Sequence, residues 1–299
     1  MKKKCGFIGF GKHAQIYAKI FKSLNIEIVS ICVRDKKKYS KLKKVFSIKE
    51  IYDDIDKFCL NSKLDFIMVM LPWDKIEKNL PKIVTKVKSE LIFSEKPVAL
   101  SLTKLNKIIL LRHKFNKKIY VLYNRRFYET SQYLKKIIKT KKLSKFYMEI
   151  SERKKDVVEL LSKKILGNIR YHLTSHWIDM VMWLFKIKKF QLKKKKSFYQ
   201  IASDNKHIIK LDYNGSKPIS SIITFNKLSL SHNSLEKLYK NNVGKSKLIV
   251  DDNKASVYKP GLKKLSEAIK KIADGNNNKD LPMIDDLRNL YKFLSKLKI

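Results

Sequence analysis

The sequence predicts an α/β protein: an N-terminal doubly wound parallel sheet of the Rossmann kind over residues 1–122, then an α+β domain with an open, mostly antiparallel sheet over 123–299. Three observations carry this. Short apolar runs alternate with helical patterns as far as Tyr123, the signature of parallel strands joined by crossover helices. Beyond Tyr123 the strand-like runs follow one another at short intervals, as in an antiparallel sheet. A chain of 299 residues with 44% hydrophobic and 11% aromatic content can bury a core in each of two domains, which excludes wholesale disorder.

The first strand is read at Cys5-Gly-Phe-Ile-Gly9 and ends in glycines. His13 to Leu24 follows as a helix with Ile16, Ile20, Phe21 and Leu24 on one face. Ile26 to Val33 alternates little, as a parallel strand buried on both faces does. Asp65 to Leu71 is a third strand, closed by Pro72, and a helix from Asp74 to Val87 leads to the short strand Leu91 to Phe93. Ser101 or Thr103 caps the next helix, which runs to Phe115 before a strand at Ile119 to Tyr123.

The second domain begins with a helix at Glu129 to Lys139 and a strand at Lys145 to Ser151. An amphipathic helix spans Tyr171 to Phe185. Strand-like runs follow at Ser197–Ala202, His207–Tyr213, Ile219–Asn226, Lys247–Asp251 and Lys254–Tyr258. Loop-like clusters occupy 212–218, 240–247 and 274–280, and helices at Gly261–Ala273 and Pro282–Leu297 finish the chain.

Gly9-Phe10-Gly11-Lys12-His13-Ala14 is a GxGxxA turn between a strand and a helix. Gly9 permits the tight turn, Gly11 lets the backbone approach a pyrophosphate, and Ala14 lets helix and strand pack closely. The open amides and the helix dipole then favour phosphate. A ribose-binding acid is expected at the end of the second strand. The register puts Val33 there with Arg34 next, which suits a 2′-phosphate and favours NADP(H) over NAD(H). A strand ending two residues later would make Asp35 the ribose acid and fit NAD(H) instead.

The formal net charge of +41 calls for a polyanion partner at first sight. Of the 68 cationic residues, however, 61 are Lys and only 7 are Arg, and the Lys is spread along the whole chain. Readers of nucleic acid spend Arg on bidentate contacts, and no nucleic-acid motif is present. The excess reads as a compositional coat of solvated Lys, with no specific nucleic-acid partner. No apolar stretch approaches the roughly 20 residues of a membrane span. Lys2-Lys3-Lys4 and the apolar residues after it imitate an export signal, but Lys12-His13 cuts the run short and no small-residue cleavage site follows. A cytoplasmic protein is expected, with Cys5, Cys32 and Cys59 as free buried thiols and no metal site.

Glu95-Lys96-Pro97 follows the strand at Leu91, Tyr123-Asn-Arg-Arg-Phe127 follows the strand at Ile119, and His176-Trp-Ile-Asp179 precedes Met180 to Leu184. With the glycine turn and Leu281-Pro-Met-Ile-Asp-Asp-Leu-Arg-Asn-Leu290, this ordered set resembles the Gfo/Idh/MocA family of nicotinamide-dependent sugar and polyol oxidoreductases. The resemblance covers nearly the whole chain and is thin from about 190 to 260. It implies hydride transfer between a nicotinamide cofactor and a carbohydrate-like secondary alcohol or ketone, with a sugar or nucleotide-sugar of polysaccharide biosynthesis as one setting. It also implies a homo-oligomer, dimer or tetramer.

By the resemblance, the nicotinamide lies over Glu95-Lys96-Pro97, with Leu71 and Pro72 also beside the cofactor. Lys96 contacts the reacting oxygen, where a cation stabilises developing negative charge. His176 matches the family's general acid/base, and Asp179, three residues on, shares its helix face. Tyr123, Asn124, Arg125, Arg126 and Tyr128 border the pocket, and the Arg pair suits an anionic sugar as substrate. Arg126 is equally suited to an intradomain salt bridge. His172 stands where the family's sugar dehydrogenases typically carry an aspartate. Either His172 and His176 share the proton chemistry, or the chain is a non-catalytic dinucleotide-binding sensor or scaffold.

Overall fold

The computed structural model describes residues 2–61, 63–141, 146–151, 170–187, 190–194, 199–203, 207–212, 220–225, 228–255 and 258–297. The chain divides into two compact units, one of Met1–Tyr123 with Leu262–Tyr291 and one of Asn124–Gly261 with Lys292–Ile299.

The first unit is built on six parallel strands: β1 (Lys3–Ile8), β2 (Ile26–Cys32), β3 (Glu50–Tyr52), β4 (Phe66–Val69), β5 (Leu91–Ser94) and β6 (Lys118–Val121). They lie in the order β3-β2-β1-β4-β5-β6, the doubly wound order of a dinucleotide-binding domain. Helices α1 (Lys12–Ser23), α2 (Lys36–Val45), α3 (Ile55–Asn61), α4 (Trp73–Lys86) and α5 (Leu102–Lys114) make the crossovers. The apolar stripe of α1 buries Ala14, Tyr17, Ala18, Ile20 and Phe21, and β4 is buried along its whole length. Ser101 caps α5 by accepting from the Lys104 amide, whereas Thr103 lies inside the helix.

The second unit carries, among the described residues, an eight-stranded sheet of β7 (Phe146–Ser151), β8 (Gln191–Lys194), β9 (Tyr199–Ser203), β10 (His207–Asp212), β11 (Ser220–Phe225), β12 (Leu228–Ser234), β13 (Lys237–Asn242) and β14 (Lys245–Asp251). Its order is β14-β13-β12-β11-β7-β10-β9-β8, antiparallel except for the β7–β10 pair. Alternate residues point to its two faces: Met148, Ile150, Ile209, Leu211 and Ile223 are buried, while Tyr147, Ile208 and Ile222 are exposed. Helices α6 (Glu129–Thr140) and α7 (Ser175–Phe185) belong to this unit.

Several expectations are corrected. A single cut near residue 122 misses the return of Leu262–Tyr291 to the first unit. There α9 (Leu262–Ala273) lies against α1, the Val121 amide donates to the Pro282 carbonyl at 3.0 Å, and the buried Tyr291 hydroxyl donates to the Ala99 carbonyl at 3.0 Å. Chain order says nothing about such a return. Helix α2 has no buried residue, so no apolar face announced it. The expected loop at 240–247 is a hairpin of β13 and β14 turning at Gly244, where φ is +71°. The expected strand Lys254–Tyr258 instead begins inside a short helix, α8 (Asp252–Ala255), and its residues 256 and 257 lie outside the described residues. Asp252 there is buried and accepts the Glu129 and Thr130 amides at 2.8 and 3.2 Å, so its carboxylate serves the start of α6. Parts of the expected strands at 145, 197–198, 213, 219 and 226, and most of the loop at 212–218, lie outside the described residues.

Candidate functional site

In the first unit the site begins where β1 ends. Gly9 has φ +88°, and a Cβ there would stand 2.6 Å from the Met70 carbonyl oxygen. Only glycine fits such a left-handed position against a neighbouring backbone. Its amide donates to the Cys32 carbonyl at 2.8 Å, tying the turn to the end of β2. Gly11 is the N-cap of α1, no side chain caps the helix, and a Cβ built on Gly11 meets nothing within 4 Å. The first-turn amides at Lys12, His13 and Ala14 have no carbonyl of their own helix to pair with. A turn with open donors, open space over Gly11 and no acidic residue in the first helical turn fits a pyrophosphate.

Ala14 is buried, as close packing of α1 requires. Phe10 is buried too, edge-on to Phe7 and Phe46 at 5.4 and 5.3 Å, so only its backbone borders the turn. Strand β2 stops at Cys32, which leaves Val33 buried at the strand end and Arg34 exposed, with no ion pair among the described residues. Asp35 accepts the Lys38 amide at 3.0 Å and caps α2. Its carboxylate is therefore engaged one residue past Arg34.

Leu71 and Pro72 follow β4, and Pro72 is the N-cap of α4. Glu95 follows β5, its amide donating to the Val69 carbonyl at 2.9 Å. One oxygen of its carboxylate accepts the Lys96 amide at 3.3 Å, and the other accepts from His13 Nε2 at 3.1 Å. The Lys96–Pro97 peptide is cis, Lys96 is half-buried, and Pro97 is buried. The structure thus joins His13 to the Glu95 segment, a pairing no sequence pattern announced.

In the second unit, Asn124–Phe127 form a short 3-10 turn that leads to Tyr128 and α6. Arg126 donates through both arms of its guanidinium to Asp179, at 2.8 and 2.6 Å, and the two side chains are only 10% and 3% exposed. Arg125 is buried with its guanidinium 5.1 Å from the Trp177 ring centre. Of the two roles open to Arg126, the structure shows the intradomain salt bridge, and Asp179 is oriented by Arg126. Burial pushes the Tyr128 hydroxyl up to about 12. Tyr123, the last residue of the first unit, is also buried.

His176 lies in the first turn of α7 and is 8% exposed. The regular helix expected from Tyr171 starts later, because Arg170–Thr174 form a π-helical turn that contains His172. The Ser175 hydroxyl donates to the Tyr171 carbonyl at 2.6 Å, tying the start of α7 back to this turn. Sequence reasoning missed His232 on β12, which is fully buried against Ser221 Oγ at 2.8 Å and edge-on to Trp177 at 6.4 Å. Burial, and then the Arg125 charge, pulls its pKa down to about 4, so it is a neutral core residue. No group of three or more His, Cys, Asp or Glu suited to a metal occurs among the described residues, and no helix there is long and apolar enough to cross a membrane.

Residues 3–123 match the family model GFO_IDH_MocA, described as "Oxidoreductase family, NAD-binding Rossmann fold". No curated protein matches the chain by sequence. Among solved structures, scyllo-inositol dehydrogenase from Lactobacillus casei with bound NAD(H) and scyllo-inositol is similar at TM-score 0.73 and 15% identity, over 99% of this chain and 96% of that one. Myo-inositol 2-dehydrogenase from Lactobacillus plantarum is similar at TM-score 0.74 and 13% identity, over 99% and 96%. An oxidoreductase from Agrobacterium radiobacter in complex with NAD+, L-tartaric acid and magnesium is similar at TM-score 0.75 and 16% identity, over 99% and 95%. At these identities the likeness establishes the fold. Over residues 3–123 the glycine turn and the doubly wound strand order thus coincide with the match to the Gfo/Idh/MocA oxidoreductase model.

Proposed function

We infer that the protein is a nicotinamide-dependent oxidoreductase acting on a carbohydrate-like secondary alcohol or ketone. The observation that carries this is the uncapped, open turn at Gly9–Ala14 within a domain of that family. The adenosine diphosphate half of the cofactor is held by the backbone of Gly9, Phe10, Gly11, Lys12, His13 and Ala14, and the other half lies by Leu71, Pro72 and Glu95-Lys96-Pro97. When bound, the cofactor accepts or donates the hydride. Lys96 meets the reacting oxygen and offsets its developing charge, and His176 takes up or returns the hydroxyl proton. His172, in the adjoining π-helical turn, is the candidate to share that proton. Tyr123, Asn124 and Tyr128 border the substrate. Arg125, Arg126 and Asp179 hold the frame around His176 through the ion pair and the Trp177 contact.

NADP(H) is favoured over NAD(H), supported by buried Val33 at the strand end, exposed Arg34 beside it and an Asp35 carboxylate already spent on a helix cap. An Arg34→Ala variant should lose about tenfold in NADPH affinity with NADH affinity unchanged, as removal of a charged phosphate contact does; equal affinities would end the preference. Inositols, which the similar dehydrogenases are named for, and sugar acids or nucleotide-sugars make the first substrate panel. Turnover of any of them, lowered at least about 100-fold by Lys96→Ala or His176→Ala, supports the enzyme. Tight cofactor binding with no turnover across the panel supports a sensor, the reading that His172 and the fully paired Asp179 favour. Cytoplasmic residence agrees with three buried free cysteines. A homo-oligomer agrees with the row of exposed Tyr147, Ile208 and Ile222 on the second sheet.

A further inference from the structure

The strand order β3-β2-β1-β4-β5-β6 reverses its direction of winding between β1 and β4. A dinucleotide lies across the carboxyl ends of the strands at that point, with its pyrophosphate at the β1 turn and its two nucleotide halves on either side. The glycine turn and Glu95 therefore serve different halves of the ligand. One side chain joins them: His13 leaves the first turn of α1, passes the end of β4 and donates Nε2–H to Glu95 at 3.1 Å.

Both partners are held from behind. The buried Tyr17 ring, one helical turn on, stands edge-on to the imidazole at 5.3 Å and 82°. Glu95 is fixed through its own amide to Val69, and its second carboxylate oxygen carries the Lys96 amide at 3.3 Å. The carboxylate thus has His13 on one oxygen and the Lys96 backbone on the other. Its side chain is 18% exposed, so the contact is partly shielded from water.

Resting on the dinucleotide reading above, we propose that His13 is a positioning residue whose imidazole sets the Glu95-Lys96-Pro97 segment for the nicotinamide half of the cofactor. The two duties of His13 fall on different atoms. Its amide belongs to the phosphate-binding turn, and its ring belongs to the link. Truncating the ring leaves the turn intact and lets the Glu95 carboxylate swing, and the Lys96 amide loses its fixed acceptor.

The test is a fluorescence titration of the full-length protein with NADH, and with ADP-ribose, which keeps the adenosine and pyrophosphate but lacks the nicotinamide. His13→Ala should leave ADP-ribose affinity within about twofold and weaken NADH about tenfold, the scale of one hydrogen bond to a charged group. Glu95→Ala should do the same, and the double variant should be no worse than either single one. His13→Gln, which keeps an N–H donor at similar reach, should recover NADH binding to within about threefold of wild type. Equal loss for both ligands, no loss for either, or additive losses in the double variant would overturn the proposal. Wild-type protein that binds ADP-ribose but shows these failures sinks the proposal alone. Wild-type protein that binds neither these ligands nor their 2′-phosphorylated forms, NADPH and 2′-phospho-ADP-ribose, sinks the dinucleotide reading as well.

Discussion

In the first unit the glycine turn holds its helix amides open and leaves Arg34 exposed, whereas in the second unit Arg126 and Asp179 occupy each other's hydrogen-bonding atoms. The sequence offers both segments as binding sites, the first by its glycine spacing and the second by its dense polar side chains. They differ in what burial demands. A backbone amide at a helix start can wait for a ligand with water as its partner, but a buried guanidinium or carboxylate must be paired as the chain folds. Polar density marks a site for a small molecule only where the groups stay in reach of solvent. In the second segment the charged pair is spent on the fold of its own unit.

The sharpest way to break this contrast is Arg126→Ala. It strands a buried carboxylate and should cost about 3–5 kcal/mol in urea unfolding. Replacing the pair together, as Arg126→Met with Asp179→Leu, should return most of that stability. A small loss for the single variant would mean that the pair is wetter than its burial implies.

His232 gives the next largest effect. Its pKa falls from the ordinary 6.5 to about 4 in the fold, so the unfolded chain takes up its proton first as the pH drops. Its contribution is therefore complete above pH 6.5 and is lost as the pH falls through about 4, by about 3 kcal/mol at 1.36 kcal/mol per pKa unit. The slope of stability against pH over that window should flatten in His232→Asn, whatever the absolute stability of the variant.

In the first unit the effects should move to binding. Gly9→Ala forces a Cβ into a left-handed position against the Met70 carbonyl. We expect about 1–2 kcal/mol lost in stability and dinucleotide binding weakened at least about tenfold, read by thermal shift and titration. Asp35→Ala should cost only about 1 kcal/mol, as loss of an N-cap does. If it also lowers NADH affinity, Asp35 meets the ribose as well as capping α2, and the contrast between free and spent groups weakens at that point.

The fold class was open to sequence reading because both of its signals are local. Ile26–Cys32 and Phe66–Val69 announce buried parallel strands by composition, and the glycine spacing places the turn. Helix α2 was hidden because none of its residues is buried, and β13 with the turn into β14 because their polar residues read as a loop, whereas Lys247–Asp251 was legible as a strand. In the candidate site, the identities of Lys96, His176 and the Arg pair were legible, but their engagements were not. Arg126 meets Asp179 across 53 positions, and His13 meets Glu95 across 82. Nothing in the spacing of a sequence records which charges find each other at such separations.

The return of Leu262–Tyr291 to the first unit bears on how the protein is made. Strands β1 to β6 leave the ribosome early, yet Pro282, Met283 and Tyr291, which bond to Val121, Tyr120 and Ala99, are synthesised after the whole second sheet. The first unit must wait, with one flank of α1 and the β6 edge of its sheet uncovered, until Tyr291 has been added. A nascent chain in that interval offers an unpaired strand edge to its neighbours, so the lysine coat, which keeps like-charged chains apart, guards this protein most during its own translation.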